Sequence, residues 1–147
     1  MKLELTVNGE RRAADARADE MLLAVLNRLG LASVRETCGI GVCGACTVLL
    51  DGEPVSACLL LAPLAEGHVL ETVEGLGGSH PVQLAFDAAN AFQCGWCTPG
   101  MILTAKRLLE ESPSPTDDEI RAALSGNLCR CGSYVKIIDA VRRASKQ

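Results

Sequence analysis

Cys38-Gly-Ile-Gly-Val-Cys43-Gly-Ala-Cys46 is the stretch that decides the fold of the first half of this chain. With the later Cys58 it forms the spacing C-x4-C-x2-C plus a distant fourth Cys, which is the plant-type ligand spacing of a [2Fe–2S] cluster. Three glycines, at 39, 41 and 44, lie between the cysteines of this loop. Because glycine tolerates positive φ, such a loop can wrap closely around an inorganic cluster and point its amide N–H groups at sulfur. The stretch therefore predicts one [2Fe–2S] site.

A second group of four cysteines follows in the other half, as Cys94-Gly-Trp-Cys97 and Cys129-Arg-Cys131. Four thiolates again suit a [2Fe–2S] cluster, although two Cys pairs also suit a tetrahedral zinc site. Zinc ribbons normally set each pair on a tight β-turn, whereas these pairs lie at the ends of predicted helices. The C-x-C spacing is also less usual for zinc. The residues alone favour iron–sulfur and leave zinc as the competitor.

Composition limits the expected cellular compartment and the expected kinds of partner. The chain of 147 residues is 48% hydrophobic with a formal net charge of -4, which argues against a nucleic-acid partner. We find no apolar run long enough for a secretory signal or a membrane span. We therefore expect a reducing cytoplasm, where dense cysteines bind metal more often than they form disulfides. No catalytic Ser–His–Asp set, phosphate loop or paired-carboxylate site stands out, so we predict no catalytic residue on this chain.

The first half is predicted to contain both strands and helices. Asn8-Gly9 and Asp51-Gly52 are hairpin turn signals between alternating apolar stretches. The second hairpin predicts strands at 47–50 and 55–59, and a last strand is predicted over 69–73. Glycines at 75, 77 and 78 mark a joint. We predict a first domain over residues 1–76.

The second half is predicted to be helical. We predict that it forms a second domain over residues 79–147. Apolar residues recur there at helical spacing, and Thr116 with Glu119 is a capping-box signature. Thr98 is predicted to cap the helix that Pro99 begins. Cys97 would then lie at the positive end of that helix dipole, which favours an anionic cluster.

Three motifs together resemble a known family. They are the loop from Cys38 to Cys46, then Gln93-Cys94-Gly-Trp-Cys97-Thr-Pro-Gly-Met101, then Gly126-Asn-Leu-Cys129-Arg-Cys131. Their order and spacing resemble the small iron–sulfur subunit of the molybdenum hydroxylases, the xanthine oxidase family, which includes carbon monoxide, quinoline, nicotine and aldehyde dehydrogenases. The resemblance implies an α+β fold, with a β-grasp, plant-type ferredoxin-like domain followed by an all-α four-helix bundle. It also implies iron–sulfur at the second group.

The resemblance further implies roles for individual residues. The outer cluster, nearer a flavin, would be held by Cys38, Cys43, Cys46 and Cys58. The inner cluster, nearer a molybdopterin, would be held by Cys94, Cys97, Cys129 and Cys131. Gln93 and Cys131 would contact the molybdopterin cofactor of a large partner subunit. FAD is expected on a medium subunit, giving a heterotrimer or its dimer that relays electrons from molybdopterin through both clusters towards FAD.

The chain differs from the family motif at one place, and two alternative functions remain open. Many relatives continue C-R-C-T-G-Y, whereas this chain has Cys131-Gly132-Ser133-Tyr134, which changes the local hydrogen bonding beside the last ligand. A stand-alone two-cluster ferredoxin-like carrier would have the same cysteines and elute as a small monomer. A zinc-bound interaction module would be colourless and free of iron. The substrate and the final acceptor belong to partner subunits and are not encoded in these motifs.

Overall fold

The structure, a computed structural model, describes residues 1–147 and begins with a five-stranded mixed sheet. The strands are β1 (Lys2–Val7), β2 (Glu10–Asp15), β3 (Thr47–Leu50), β4 (Glu53–Ser56) and β5 (Val69–Glu71). Their order in the sheet is β2-β1-β5-β3-β4, and only the pair of β1 and β5 is parallel. Helix α1 (Leu22–Arg28) buries its apolar side in the same core as the inner faces of the strands.

Both predicted hairpin turns are confirmed. Asn8 and Gly9 have φ values of 53° and 80°, and Asp51 and Gly52 have φ values of 51° and 85°. Two consecutive positive φ angles give the turn a twist that matches the right-handed twist of the strands.

Two predicted strands are shorter than expected. The strand predicted to reach Leu59 ends at Ser56, because the next carbonyl, of Ala57, accepts a hydrogen bond from the backbone of Leu23 in α1 at 3.0 Å. The chain therefore leaves the sheet and delivers Cys58 towards the Cys loop. The strand predicted over 69–73 ends at Glu71, and residues 73–76 form a short 3-10 turn.

The second half is helical, as predicted. It contains α2 (Pro81–Ala88), α3 (Thr98–Glu111), α4 (Asp117–Ala123) and α5 (Tyr134–Ala144). Helix α2 packs on α3 and α5, and α4 packs on the same two helices. These helices enclose a hydrophobic core separate from that of the sheet. No helix is both long and apolar enough to cross a membrane.

The N-terminal caps of the helices were predicted with mixed success. The capping box of α4 is confirmed, because the Thr116 hydroxyl accepts from the backbone of Glu119 while the Glu119 carboxylate accepts from the backbone of Thr116. The predicted cap at Thr98 is wrong by one residue, because the backbone of Cys97 precedes the first turn and Thr98 is already helical. A second capping box, which the sequence did not predict, is formed by His80 and Gln83 at the start of α2.

Candidate iron–sulfur sites

The four cysteines of the first group come together between α1 and the β3–β4 hairpin. Cys46 and Cys58 are buried, while Cys38 and Cys43 are half-buried at the protein surface. The Cys38 sulfur accepts hydrogen bonds from the backbone of Ile40 at 3.5 Å and of Val42 at 3.4 Å. Glycines in the left-handed region at 39 and 41 turn these amides inwards. The loop thus offers N–H donors to sulfur, as the sequence predicted.

The electrostatics of the first group divides it into two pairs. Backbone N–H groups of residues 40, 43 and 42, with the neighbouring Cys43 thiol, lower the pKa of Cys38 to about 6. Burial, opposed in part by the backbone of Cys58, raises the pKa of Cys46 to about 11, and the Cys58 thiol adds to the rise. A thiolate buried in this way needs a positive partner. Bound iron would supply that positive charge.

The second group comes together where α3 and α5 begin. Cys94 is exposed and the other three are half-buried. The backbone N–H of Trp96, 3.5 Å from the Cys94 sulfur, lowers the pKa of Cys94 with help from the Cys131 thiol. Burial raises the pKa of Cys97 to about 12, and the adjacent Cys129 thiol raises it further. The group therefore also forms two pairs, one outer pair of Cys94 with Cys131 and one inner pair of Cys97 with Cys129.

The arrangement of the donors fits two-iron clusters. Pairs of thiols in contact, two pairs to a site, are what a [2Fe–2S] cluster requires. A mainly apolar cavity of about 330 Å³ is bordered by Cys94, Cys97 and Cys129 of the second group and by Cys43 of the first. The two sites therefore face each other across a space with few polar groups.

Short polar contacts connect the two sites directly. The backbone N–H of Leu128, next to Cys129, donates to the carbonyl oxygen of Cys43 at 2.8 Å. The buried amide of Asn127 donates to the Gly44 carbonyl at 3.2 Å and to the Thr47 hydroxyl at 3.3 Å. Cys43, a predicted ligand of the first cluster, is therefore hydrogen-bonded to Leu128, which directly precedes Cys129, a predicted ligand of the second cluster.

A second connection between the two sites involves Trp96. The guanidinium of Arg35 lies 4.8 Å from the centre of the Trp96 ring and donates to the carbonyl oxygens of Gly95 and Trp96 at 2.5 and 2.9 Å. The indole N–H donates to the Thr37 hydroxyl at 2.8 Å. Trp96 therefore holds the second Cys loop to the segment that precedes the first, while half of its side chain stays exposed and borders the cavity.

The predicted pterin-contacting residues are also neighbours. The Gln93 side-chain amide donates to the Cys131 carbonyl at 3.2 Å, at the exposed edge of the second site. Beside them, the Ser133 backbone donates to the Cys129 sulfur at 3.4 Å and the Tyr134 hydroxyl accepts from the Cys129 backbone at 2.8 Å.

Neither histidine lies in a Cys group. His68 pairs with Asp51 at 2.5 Å, and the His80 ring accepts from the backbone of Val82 at 3.2 Å.

Comparison with protein families identifies the class to which this geometry belongs. Residues 5–73 match the model of the 2Fe-2S iron-sulfur cluster binding domain, and residues 72–142 match that of the [2Fe-2S] binding domain. The chain thus has two different iron–sulfur domain types in series, and the fold and the two Cys groups agree with that class.

Individual relatives identify the family. The chain is 49% identical over 146 residues to the nicotinate dehydrogenase small FeS subunit of Eubacterium barkeri, covering 97% of this chain and 93% of that protein. Quinoline 2-oxidoreductase from Pseudomonas putida 86 contains a chain that superposes with a TM-score of 0.95 at 42% identity, covering 99% of this chain and 94% of that one. Aldehyde oxidoreductase from Desulfovibrio desulfuricans ATCC 27774 gives 0.93 at 40% identity, covering 98% of this chain and 17% of that longer one. This chain belongs to the molybdenum hydroxylase family and is one of its small iron–sulfur subunits.

Proposed function

We propose that this chain is the electron-transfer subunit of a molybdenum-containing hydroxylase or dehydrogenase. It relays electrons from a molybdopterin site through two [2Fe–2S] clusters towards FAD. The observation that carries the proposal is the convergence of two four-cysteine groups, one in each half, joined by the Leu128–Cys43 hydrogen bond. Substrate chemistry belongs to the partner that holds molybdenum.

The proposed ligands follow the pairs of neighbouring thiols. The first cluster would be held by Cys38 with its neighbour Cys43 and by Cys46 with its neighbour Cys58. The second is assigned to Cys94 with Cys131 and to Cys97 with Cys129. When bound, each cluster supplies a one-electron redox centre.

The residues of this chain do three things for that transfer. Backbone amides of the Gly-rich loop donate to the Cys38 sulfur, which favours the more negative, reduced state at the surface-facing pair. Leu128 and Asn127 hold the two Cys loops at a fixed spacing. The apolar lining of the cavity between the sites keeps competing polar groups away. The chain therefore positions two redox centres and insulates the path between them.

Partner surfaces are assigned to opposite ends of this path. The exposed edge with Gln93 and Cys131 would meet the molybdopterin of the large subunit, because it borders the outer pair of the second site. The first Cys loop carries the apolar side chains of Ile40, Val42 and Leu59, each more than half exposed. Such an apolar rim around a half-buried redox site suits docking of a FAD-bearing medium subunit. A heterotrimer or its dimer follows, and a free carrier is disfavoured because it would leave this rim uncovered.

Three further assignments complete the proposal. We assign residues 1–76 and 79–147 to two domains, supported by their separate hydrophobic cores. We describe the helical domain as a four-helix bundle, supported by the packing of α2 and α4 against both α3 and α5. We assign the complex to the cytoplasm, where reduced thiols remain available for iron.

Anaerobic purification from the native host tests the proposal. We expect four irons per chain, two distinct electron paramagnetic resonance signals after reduction, and two larger co-purifying subunits. A small iron-containing monomer would support the stand-alone carrier instead. A colourless protein that contains zinc would refute the iron–sulfur assignment.

A further inference from the structure

Two buried hydroxyl groups in this protein have no hydrogen-bond partner, and both lie beside the second Cys group. They are the side-chain oxygens of Thr98 and Ser133. Thr98 directly follows Cys97, and the Ser133 backbone N–H donates to the Cys129 sulfur at 3.4 Å. Cys97 and Cys129 form the inner pair, so one hydroxyl belongs to the residue after one member of that pair and the other to a residue whose backbone binds the second member.

Local structure does not account for either hydroxyl. Ser133 is only 5% exposed and occupies the cap position of α5, yet its side chain makes no capping hydrogen bond. Thr98 lies in the first turn of α3 and likewise makes no hydrogen bond to its own helix. Buried polar groups in folded proteins nearly always have a partner, so an orphaned pair at one place indicates an acceptor that belongs there.

Cluster sulfur is an acceptor of the required kind. The thiolates and sulfides of a four-cysteine [2Fe–2S] cluster carry negative charge, which increases when the cluster gains an electron. We propose that the hydroxyl groups of Ser133 and Thr98 donate hydrogen bonds to sulfur of the second cluster and raise its reduction potential relative to that of the first. This inference rests on the proposed assignment of that cluster to Cys94, Cys97, Cys129 and Cys131.

The test uses the purified complex with Ser133→Ala and, separately, Thr98→Val, which removes a hydroxyl with little change in volume. Potentiometric titration followed by electron paramagnetic resonance should show the second-cluster midpoint fall in each variant, with the first-cluster midpoint unchanged. We expect about a tenfold loss of preference for the reduced state, which is ~59 mV for a one-electron couple. Electron–nuclear double resonance of the reduced second cluster should lose one exchangeable proton coupling in each variant. Ser125→Ala is the control, because the Ser125 hydroxyl is exposed and donates to the Ala122 carbonyl at 2.7 Å.

The outcomes separate this inference from the proposed function. Unchanged second-cluster midpoints and proton couplings in the two variants would overturn the inference while leaving the electron-transfer role intact. Absence of the second signal in the unmodified complex would overturn the proposed function itself. If Ser133→Ala does not assemble, Thr98→Val decides by the same two measurements.

Discussion

Replacing Asn127 with alanine should weaken the contact between the two halves. The Asn127 side chain is buried, donates to the Gly44 carbonyl and the Thr47 hydroxyl, and accepts from the Thr104 hydroxyl at 3.0 Å. The Gly44 carbonyl keeps a second donor, the Thr47 hydroxyl at 2.7 Å, but the Thr104 hydroxyl loses its acceptor. A lost hydrogen bond costs about 1 kcal/mol and an orphaned buried hydroxyl about 1–3 kcal/mol, so we expect a total loss of ~3 kcal/mol.

The assay is anaerobic thermal unfolding of the iron-loaded protein at one fixed scan rate. For a chain of this size 1 kcal/mol corresponds to about 2–4 °C, so Asn127→Ala should lower the unfolding temperature by roughly 6–12 °C. Ser125→Ala, two residues away on the exposed side, is the matched control and should change it by less than ~2 °C. If Asn127→Ala behaved like that control, the claim that this side chain fastens the two halves would be refuted.

Three further predictions concern the second Cys group, the close approach of the two halves, and a helix cap. Cys131→Ser should alter the second-cluster resonance signal and leave the first nearly intact; loss of the first signal alone would mean that the two groups are assigned the wrong way round. Gly100→Ala should cost about 1–3 kcal/mol, because the added Cβ would run into the Gly44 carbonyl oxygen. Gly126→Ala, where no atom outside its neighbours lies within 4 Å of the added Cβ, should unfold close to the parent temperature, and equal effects at both glycines would argue against the steric reason. Thr116→Ala should cost about 1 kcal/mol through loss of the capping box and leave both cluster signals unchanged, as measured by thermal unfolding and spectroscopy.

The features that sequence predicted well are those set by a few consecutive residues. The Asn8-Gly9 and Asp51-Gly52 turns and the capping box at Thr116 depend on local backbone preferences, and each is confirmed. The order of a sheet-containing half and a helical half was predicted by the change in hydrophobic period. The assignment of all eight cysteines as cluster ligands stays a prediction, which iron analysis tests.

The errors in the element boundaries have a long-range cause. Strand β4 ends before Leu59 because the Ala57 carbonyl accepts a hydrogen bond from the backbone of Leu23. No sequence pattern near Ala57 indicates that partner. The cap of α3 shifted to Cys97 because the chain already turns there to form the second Cys loop.

The contacts between the two halves were missed altogether. In the sequence, nothing distinguishes Arg35 from other charged residues before the first Cys loop. Its partners Gly95 and Trp96 are distant in the sequence, so the contact could not be predicted. Asn127 reads as one polar residue in a turn. The only available signal was its position two residues before a predicted ligand, which does not show that its amide faces Gly44.

The parallel pairing of β1 with β5 has a consequence for how the first half folds. Thr6 pairs with Val69, so the sheet closes only when segments more than sixty residues apart meet. Non-local pairing of this kind slows folding, because the entropy of closing the loop is lost before the contacts form. All four cysteines of the first site lie inside that loop, and a cluster that joins Cys58 to the loop at Cys38 shortens the chain still to be closed. We therefore expect the rate at which this half folds in the cell to depend on iron supply, with apo chains lingering as open intermediates.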